Sequence, residues 1–157
     1  KYNIDEFYSS YFFVENGYNL RPTEITGFLA NNQLQYLDKI VEEREKNFMR
    51  AVDLFSRNPE LYSPNFNGMD VVSSFAIPFM CKNKKTKDEF LLKCKENNIE
   101  TRPMIAGSIA NHPFLNGFEW EQQELVNANF IHDNYFYIGN HESFKDAEHQ
   151  ELKNLIL

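Results

Sequence analysis

Gly17-Tyr18-Asn19-Leu20-Arg21-Pro22 stands directly ahead of a long helical pattern, and the rest of the chain is read outward from it. The stretch puts a hinge glycine, an aromatic ring, a side-chain amide and a guanidinium where a helix is about to start. Helix N-termini carry unpaired N–H groups and a partial positive charge, so such a loop suits an anion such as a phosphate. The same residues also fit a capped turn whose arginine is solvated. On pattern alone both readings stand.

Downstream, Pro22 suits a first helical turn, where its missing N–H costs nothing. Ile25, Phe28, Leu29, Gln33, Leu34 and Leu37 recur at three- and four-residue spacing, which predicts one inward face, and Gly27 and Ala30 leave room for another element to approach. Asp38 is placed to cap a second helix that buries Ile40, Val41, Phe48, Val52 and Phe55, with Glu42 to Lys46 as its wet face. That helix should fail at Asn58-Pro59. Val71 to Met80 reads as the strongest strand, with Pro78 near its end or on an edge. Thr86 to Glu89 reads as a capping box, opening a helix with Phe90, Leu91 and Cys94 inward and a stop at Asn97-Asn98.

Ile99 to Ile105 predicts a second short strand, Ala106 to Phe118 a long loop, Val126 to His132 a helix and Tyr135 to Ile138 a third strand. A last helix opens at Ser143 to Asp146 and packs Ala147, Leu152, Leu155 and Ile156. The order is two helices and then β-α-β-loop-α-β-α, for which an α+β layer with a small sheet is the natural solution. Upstream, Phe7, Tyr8 and Tyr11 to Val14 are aromatic-rich; a short strand is expected over Tyr11 to Val14, in a segment cut from a preceding domain.

The 157 residues fit one domain with a real core. Hydrophobic residues make 42% and charged residues 25%, with 6 glycines and 6 prolines, which argues against disorder or a fibrous repeat. A net charge of −7 counts against a generic nucleic-acid binder. The one basic cluster, Lys82, Lys84, Lys85 and Lys87, is expected to be a solvated turn. Cys81 and Cys94 make no disulfide framework and show no metal-ligand spacing with the four histidines, so the expectation is reduced thiols, a cytoplasmic protein and no metal. No apolar run reaches the ~18 residues of a membrane span. A chain opening on Lys1 in polar text is expected to be a piece of a longer polypeptide.

Four places carry candidate chemistry. The first is the Gly17 to Arg21 loop. The second is Glu100-Thr101-Arg102, where the carboxylate and guanidinium share one face of a strand and serve either a polar substrate or a structural ion pair. The third is Ala106-Gly107-Ser108 with Asn111 and His112; the fourth is Gly139-Asn140-His141, where His141 is a general base or a capping residue.

Gly17-Tyr18-Asn19-Leu20-Arg21, with Thr23-Glu24, Gln33-Leu34 and Leu37, resembles the DegT/DnrJ/StrS family of pyridoxal-phosphate-dependent nucleotide-sugar aminotransferases. The resemblance continues through Glu42-Glu43-Arg44, Ile99-Glu100-Thr101-Arg102-Pro103 and Ala106-Gly107-Ser108. It ends with Val126-Asn127-Ala128-Asn129, Ile131 and Ile138-Gly139-Asn140-His141. It covers nearly the whole chain, and its later motifs resemble most the branch that removes the 3-hydroxyl of a GDP-linked 4-keto-6-deoxy sugar.

The resemblance implies the C-terminal small domain of a fold-type I transferase, with residues 1–21 connecting from a large domain and 22–157 forming the small domain and its linking helices. It implies pyridoxal 5'-phosphate or pyridoxamine 5'-phosphate as cofactor. The implied partners are a nucleotide-linked 4-keto-6-deoxy sugar, L-glutamate and a second copy in a homodimer with shared active sites, with no nucleic acid and no membrane. Asn19 would donate its amide to the cofactor phosphate held by the other subunit, and Glu100 and Arg102 would face substrate. No catalytic residue is assigned, because the family's Schiff-base lysine, or the histidine that replaces it in the dehydratase branch, lies upstream of the Gly-Tyr-Asn motif. The chain alone is expected to be inactive. Two other readings stay open: a nucleotide-sugar 4-aminotransferase, and a non-catalytic α+β dimerisation module.

Overall fold

Tyr135-Phe136-Tyr137-Ile138-Gly139 alternates in character, and that alternation places the core. A computed structural model describes residues 4–15, 17, 23–105, 107–121 and 124–157. The helices are α1 (Glu24–Gln33), α2 (Leu37–Arg57), α3 (Lys84–Glu96), α4 (Val126–Asn134) and α5 (Asp146–Ile156). The strands are β1 (Leu61–Tyr62), β2 (Ala76–Cys81), β3 (Thr101–Pro103) and β4 (Tyr135–Gly139), in the antiparallel order β1-β2-β4-β3. This is the α+β layer that the element order predicts.

One sheet face carries Ile77, Phe79, Cys81, Phe136 and Ile138 into a core closed by Ala51, Leu54 and Phe55 of α2, Phe90 and Cys94 of α3, and Leu152, Leu155 and Ile156 of α5. Phe79 is its centre: its ring stacks on Phe136 at 4.7 Å and meets the edges of Phe55 at 5.1 Å and Phe90 at 5.5 Å. Aromatic pairs in these geometries are worth about 0.5–1.5 kcal/mol beyond the area they bury. The other face carries the rows Tyr62–Met80–Tyr135 and Pro78–Tyr137–Arg102, read from the strand register.

Strand lengths are set by available partners. β4 ends at Gly139 opposite Ala76, so residues 71–75 have no ladder to join, and the expected start at Val71 moves to Ala76. Val72 N–H instead donates to Glu45 Oε1 at 3.0 Å. Pro78 is central in β2, not at its end; Lys82 N–H donates to Glu60 O, so even-numbered residues aim their N–H toward β1, and β1 stops opposite Met80. The missing N–H of Pro78 therefore falls where no strand needs it. β3 is three residues long rather than the seven of Ile99 to Ile105, because Ile99 N–H still closes the end of α3 on Cys94 O.

Local signals hold in part. α2 ends at Arg57 before Asn58-Pro59, and Asn98 has φ 55°, the left-handed conformation expected after α3. The α3 cap is Asn83, whose side chain accepts Thr86 N–H at 2.9 Å, so Thr86 lies inside the first turn instead of capping it. Asp38 is likewise inside α2, since the three-residue 3-10 turn Leu34–Tyr36 joins α1 to α2 and leaves no end to cap. Ala147 is exposed while Leu152, Leu155 and Ile156 are buried. Tyr11 to Val14 form no strand; a 3-10 turn spans Glu6–Tyr11 and packs on this chain's own surface.

Two corrections matter most. α1 has no buried residue: Ile25 is 71% and Phe28 70% exposed, and nothing among the described residues lies within 4 Å of a Cβ built on Gly27. The predicted apolar face exists without anything described to cover it. Lys87, expected in a solvated turn, is 2% exposed, while Lys82, Lys84 and Lys85 are exposed. Helical phase turns Lys87 inward with Phe90 and Cys94. Among the described residues no helix is long and apolar enough to cross a membrane.

Candidate functional site

The face of the sheet opposite the core holds the polar residues. Glu100 and Arg102 form an ion pair at the β3 edge, on the same face as predicted from strand alternation. They border a groove of about 590 Å³ whose lining includes Asp5, Phe7, Lys95 and Ile99. Arg102 stands opposite Tyr137 in the β3–β4 register. Tyr137 is buried, and its hydroxyl lies 2.8 Å from that of Tyr11, which arrives from the N-terminal turn 126 residues away. Phe75 covers its ring edge-on at 5.8 Å. Burial, then the bond to Tyr11, pushes the Tyr137 hydroxyl up to about 12, with Arg102 pulling down and Glu100 pushing up. Carboxylate, guanidinium and phenol are groups whose chemistry can hydrogen-bond and orient a polar ligand.

A second polar cluster fastens the N-terminal turn. Lys87 Nζ donates to Tyr8 Oη at 2.7 Å and lies over the rings of Tyr8 and Phe7. Tyr8 stacks on His132 at 4.8 Å and donates to His132 O at 3.2 Å. Burial lowers the pKa of Lys87 and of His132 and raises that of Tyr8 to about 12. His132 Nδ1 accepts Ser108 N–H at 3.4 Å. Gly107, at φ 52°, packs so closely that a Cβ there would stand 2.1 Å from His132 Nδ1. Buried His112 accepts Phe13 N–H at Nδ1, 3.1 Å away. Of the third predicted place, Ala106 lies outside the described residues, while Gly107, Ser108 and His112 clamp the aromatic segment, whose aromatics pack within this chain.

The fourth place is a corner staple. Asn140 is buried and donates from Nδ2 to Arg44 O at 2.9 Å and Ser74 O at 2.8 Å, tying α2, the approach to β2 and the end of β4. His141 is exposed, with Nδ1 accepting Ser143 N–H at 3.2 Å and lying 2.8 Å from Ser143 Oγ. Those contacts are of the capping kind. Below it, Asn47 Nδ2 donates to His141 O at 3.0 Å while Asn47 Oδ1 accepts from His149 Nε2 at 3.0 Å.

Of the predicted site residues, Glu100 and Arg102 are brought together, while Asn19 and Arg21 lie outside the described residues. Sequence reading missed Tyr11, Tyr137, Lys87, Tyr8, His132 and Asn47. The alternation in β4 was a usable signal for Tyr137, since it sets that residue on the face away from Phe136 and Ile138. Nothing local points to Tyr11 or Tyr8, whose partners are more than 70 residues distant.

Comparison with known proteins gives the class. The model of the DegT/DnrJ/EryC1/StrS aminotransferase family matches residues 3–156, and the chain belongs to that family. Among individual relatives, it is 30% identical over 156 residues to GDP-4-keto-6-deoxy-D-mannose 3-dehydratase of Yersinia pseudotuberculosis, covering 98% of this chain and 40% of that one. The E coli enzyme of the same name with bound hydrated PLP superposes with a TM-score of 0.76 at 27% identity, over 98% of this chain and 40% of that one. A GDP-4-keto-6-deoxymannose-3-dehydratase with a trapped PLP-glutamate geminal diamine gives 0.74 at 27% identity, with the same coverage. The chain spans about 40% of the length of the relatives it matches.

Proposed function

We propose that this chain is the C-terminal small domain, with its linking helices, of a GDP-4-keto-6-deoxy-D-mannose 3-dehydratase acting in deoxysugar and lipopolysaccharide biosynthesis. In this reading residues 1–21 connect from a large domain and 22–157 form the small domain. The whole enzyme is a cytoplasmic homodimer that takes a nucleotide-linked 4-keto-6-deoxy sugar and L-glutamate. The match along 98% of the chain to a dehydratase of that name carries the reading.

The described residues do not fit as the covalent seat of pyridoxal phosphate. Lys87 is buried with its amine bound to Tyr8, and the other described lysines are exposed. When bound in the whole enzyme, the cofactor supplies an amine for the sugar ketone and an electron sink for loss of the 3-hydroxyl. Asn19 is proposed as a donor to its phosphate, and Glu100 and Arg102 as the pair that orients the substrate or glutamate.

The test is incubation of the full-length enzyme with the GDP-linked 4-keto sugar, glutamate and cofactor. A 3-deoxy sugar is expected, with histidine at the upstream Schiff-base position. A 4-amino sugar as product, with lysine there, makes the protein an aminotransferase instead. The 157-residue chain alone should bind no stoichiometric cofactor, and an absorbance spectrum showing that it does would reverse that expectation.

A further inference from the structure

Tyr11 and Tyr137 together hold one proton more than their contact uses. Each phenol carries one O–H donor, and the bond between oxygens 2.8 Å apart consumes only one of the two. Neither hydroxyl has another partner among the described residues. The pair lies on the sheet face opposite the core, since Tyr137 alternates with Phe136 and Ile138. There Arg102 is the cross-strand neighbour of Tyr137 and its guanidinium acts on the Tyr137 hydroxyl through space. Burial keeps Tyr137 protonated, with a pKa pushed up to about 12, so the pair remains a donor at any working pH. Tyr11 is held by the turn Glu6–Tyr11, whose Tyr8 is fastened to Lys87 and His132, so the pair is pre-positioned rather than recruited.

We propose that the Tyr11–Tyr137 hydroxyl pair is a ligand contact, donating its spare O–H to an anionic oxygen that Arg102 also engages. A guanidinium with an adjacent hydroxyl donor suits a carboxylate or a phosphate oxygen. Under the proposed function that oxygen belongs either to glutamate or to the nucleotide sugar. The assignment rests on that reading, in which Arg102 faces the substrate.

The experiment uses the full-length enzyme with Tyr11→Phe, Tyr137→Phe and the double variant, varying glutamate and the GDP-linked sugar separately. Losing a hydrogen bond to a charged group should raise one KM roughly ten- to hundredfold, while the Tm falls only modestly from loss of the Tyr11–Tyr137 bond because both rings remain. The variant lacking the hydroxyl that donates to the ligand gives the large effect, and the double variant matches it, since the two hydroxyls act as a unit. A rise confined to glutamate assigns a carboxylate; one confined to the sugar assigns a phosphate. If neither KM moves by more than about twofold in any variant, the contact does not exist.

Should wild-type enzyme fail to turn over the sugar, the functional reading fails separately. The pair is then tested by calorimetry with inorganic phosphate and glutamate as probes. Weaker binding to the double variant supports the contact; equal binding, or no binding to wild type, overturns it.

Discussion

α1 and α2 follow one another directly, joined by a single 3-10 turn, yet they live in different surroundings. α2 buries Asn47, Phe48, Ala51, Leu54 and Phe55, while α1 buries nothing. Both stretches show apolar residues at helical spacing, and both form helices. The difference teaches that periodicity specifies which face seeks cover and says nothing about whether a cover is in reach. For α2 the cover is the sheet and α5; for α1 none is among the described residues.

The sharpest way to break this comparison is a pair of matched deletions in the chain. Phe55→Ala removes a ring packed on Phe79 and should cost about 3–5 kcal/mol, measured by urea unfolding. Phe28→Ala, at a position 70% exposed, should change stability by less than about 0.5 kcal/mol. Equal losses would mean that α1 is covered after all.

Next in size is Asn47→Ala. It strips two hydrogen bonds from the α2–α5 corner, leaving His141 O and His149 Nε2 without that partner, at about 1–3 kcal/mol. The amide of α1 offers a contrast: Asn32 bonds only back to Phe28 O in its own helix, so Asn32→Ala should be near neutral.

A smaller effect is set by pH. Burial holds the pKa of His149, packed between α5 and α2, and of His132 below the ordinary imidazole value of about 6.5. Below that pH the unfolded chain binds more protons than the folded one. Stability from these groups is therefore complete above about pH 6.5 and is lost as pH falls through their folded values. Urea midpoints should drop on acidification, and His149→Gln should lessen the drop; an unchanged drop would remove His149 from the account.

The most local change is confined to α1. Thr23 caps it by accepting Thr26 N–H at 3.4 Å, so Thr23→Ala should loosen that helix by about 0.5–1 kcal/mol. Hydrogen exchange should quicken over residues 24–33 while the global urea midpoint stays in place. A shift in the global midpoint would show that α1 and α2 unfold as one unit.

Much of the fold was legible because it depends on neighbours in sequence. The end of α2 before Pro59, the left-handed Asn98, the β4 alternation and the Glu100–Arg102 pairing follow from local geometry. Where the reading slipped, a distant partner had decided. Val71 to Phe75 have strand-forming residues but no strand opposite them, because β4 ends at Gly139. Thr86 has the chemistry of a cap, but the helix starts earlier, with Asn83 accepting the N–H of Thr86 itself.

The candidate site divides in the same way. Gly17 to Arg21 carries the family's signature in sequence, and the Glu100–Arg102 pair is written two residues apart, so one alternation suffices to find it. Tyr11 and Tyr137 are invisible as a pair until the chain folds, since 126 residues separate two hydroxyls that end 2.8 Å apart.

By itself, the sequence determined the α+β class, the family and the order of the main elements, though not the short strand β1, because helical phase, strand alternation and motif residues are properties of short windows. Only the tertiary structure decided which predicted faces are buried, that Lys87 leaves water for the rings of Tyr8 and Phe7, and that a tyrosine pair stands beside Arg102. The physical reason is one of range. Backbone geometry is settled within a few residues, whereas desolvation and hydrogen-bond pairing depend on whatever the fold brings close.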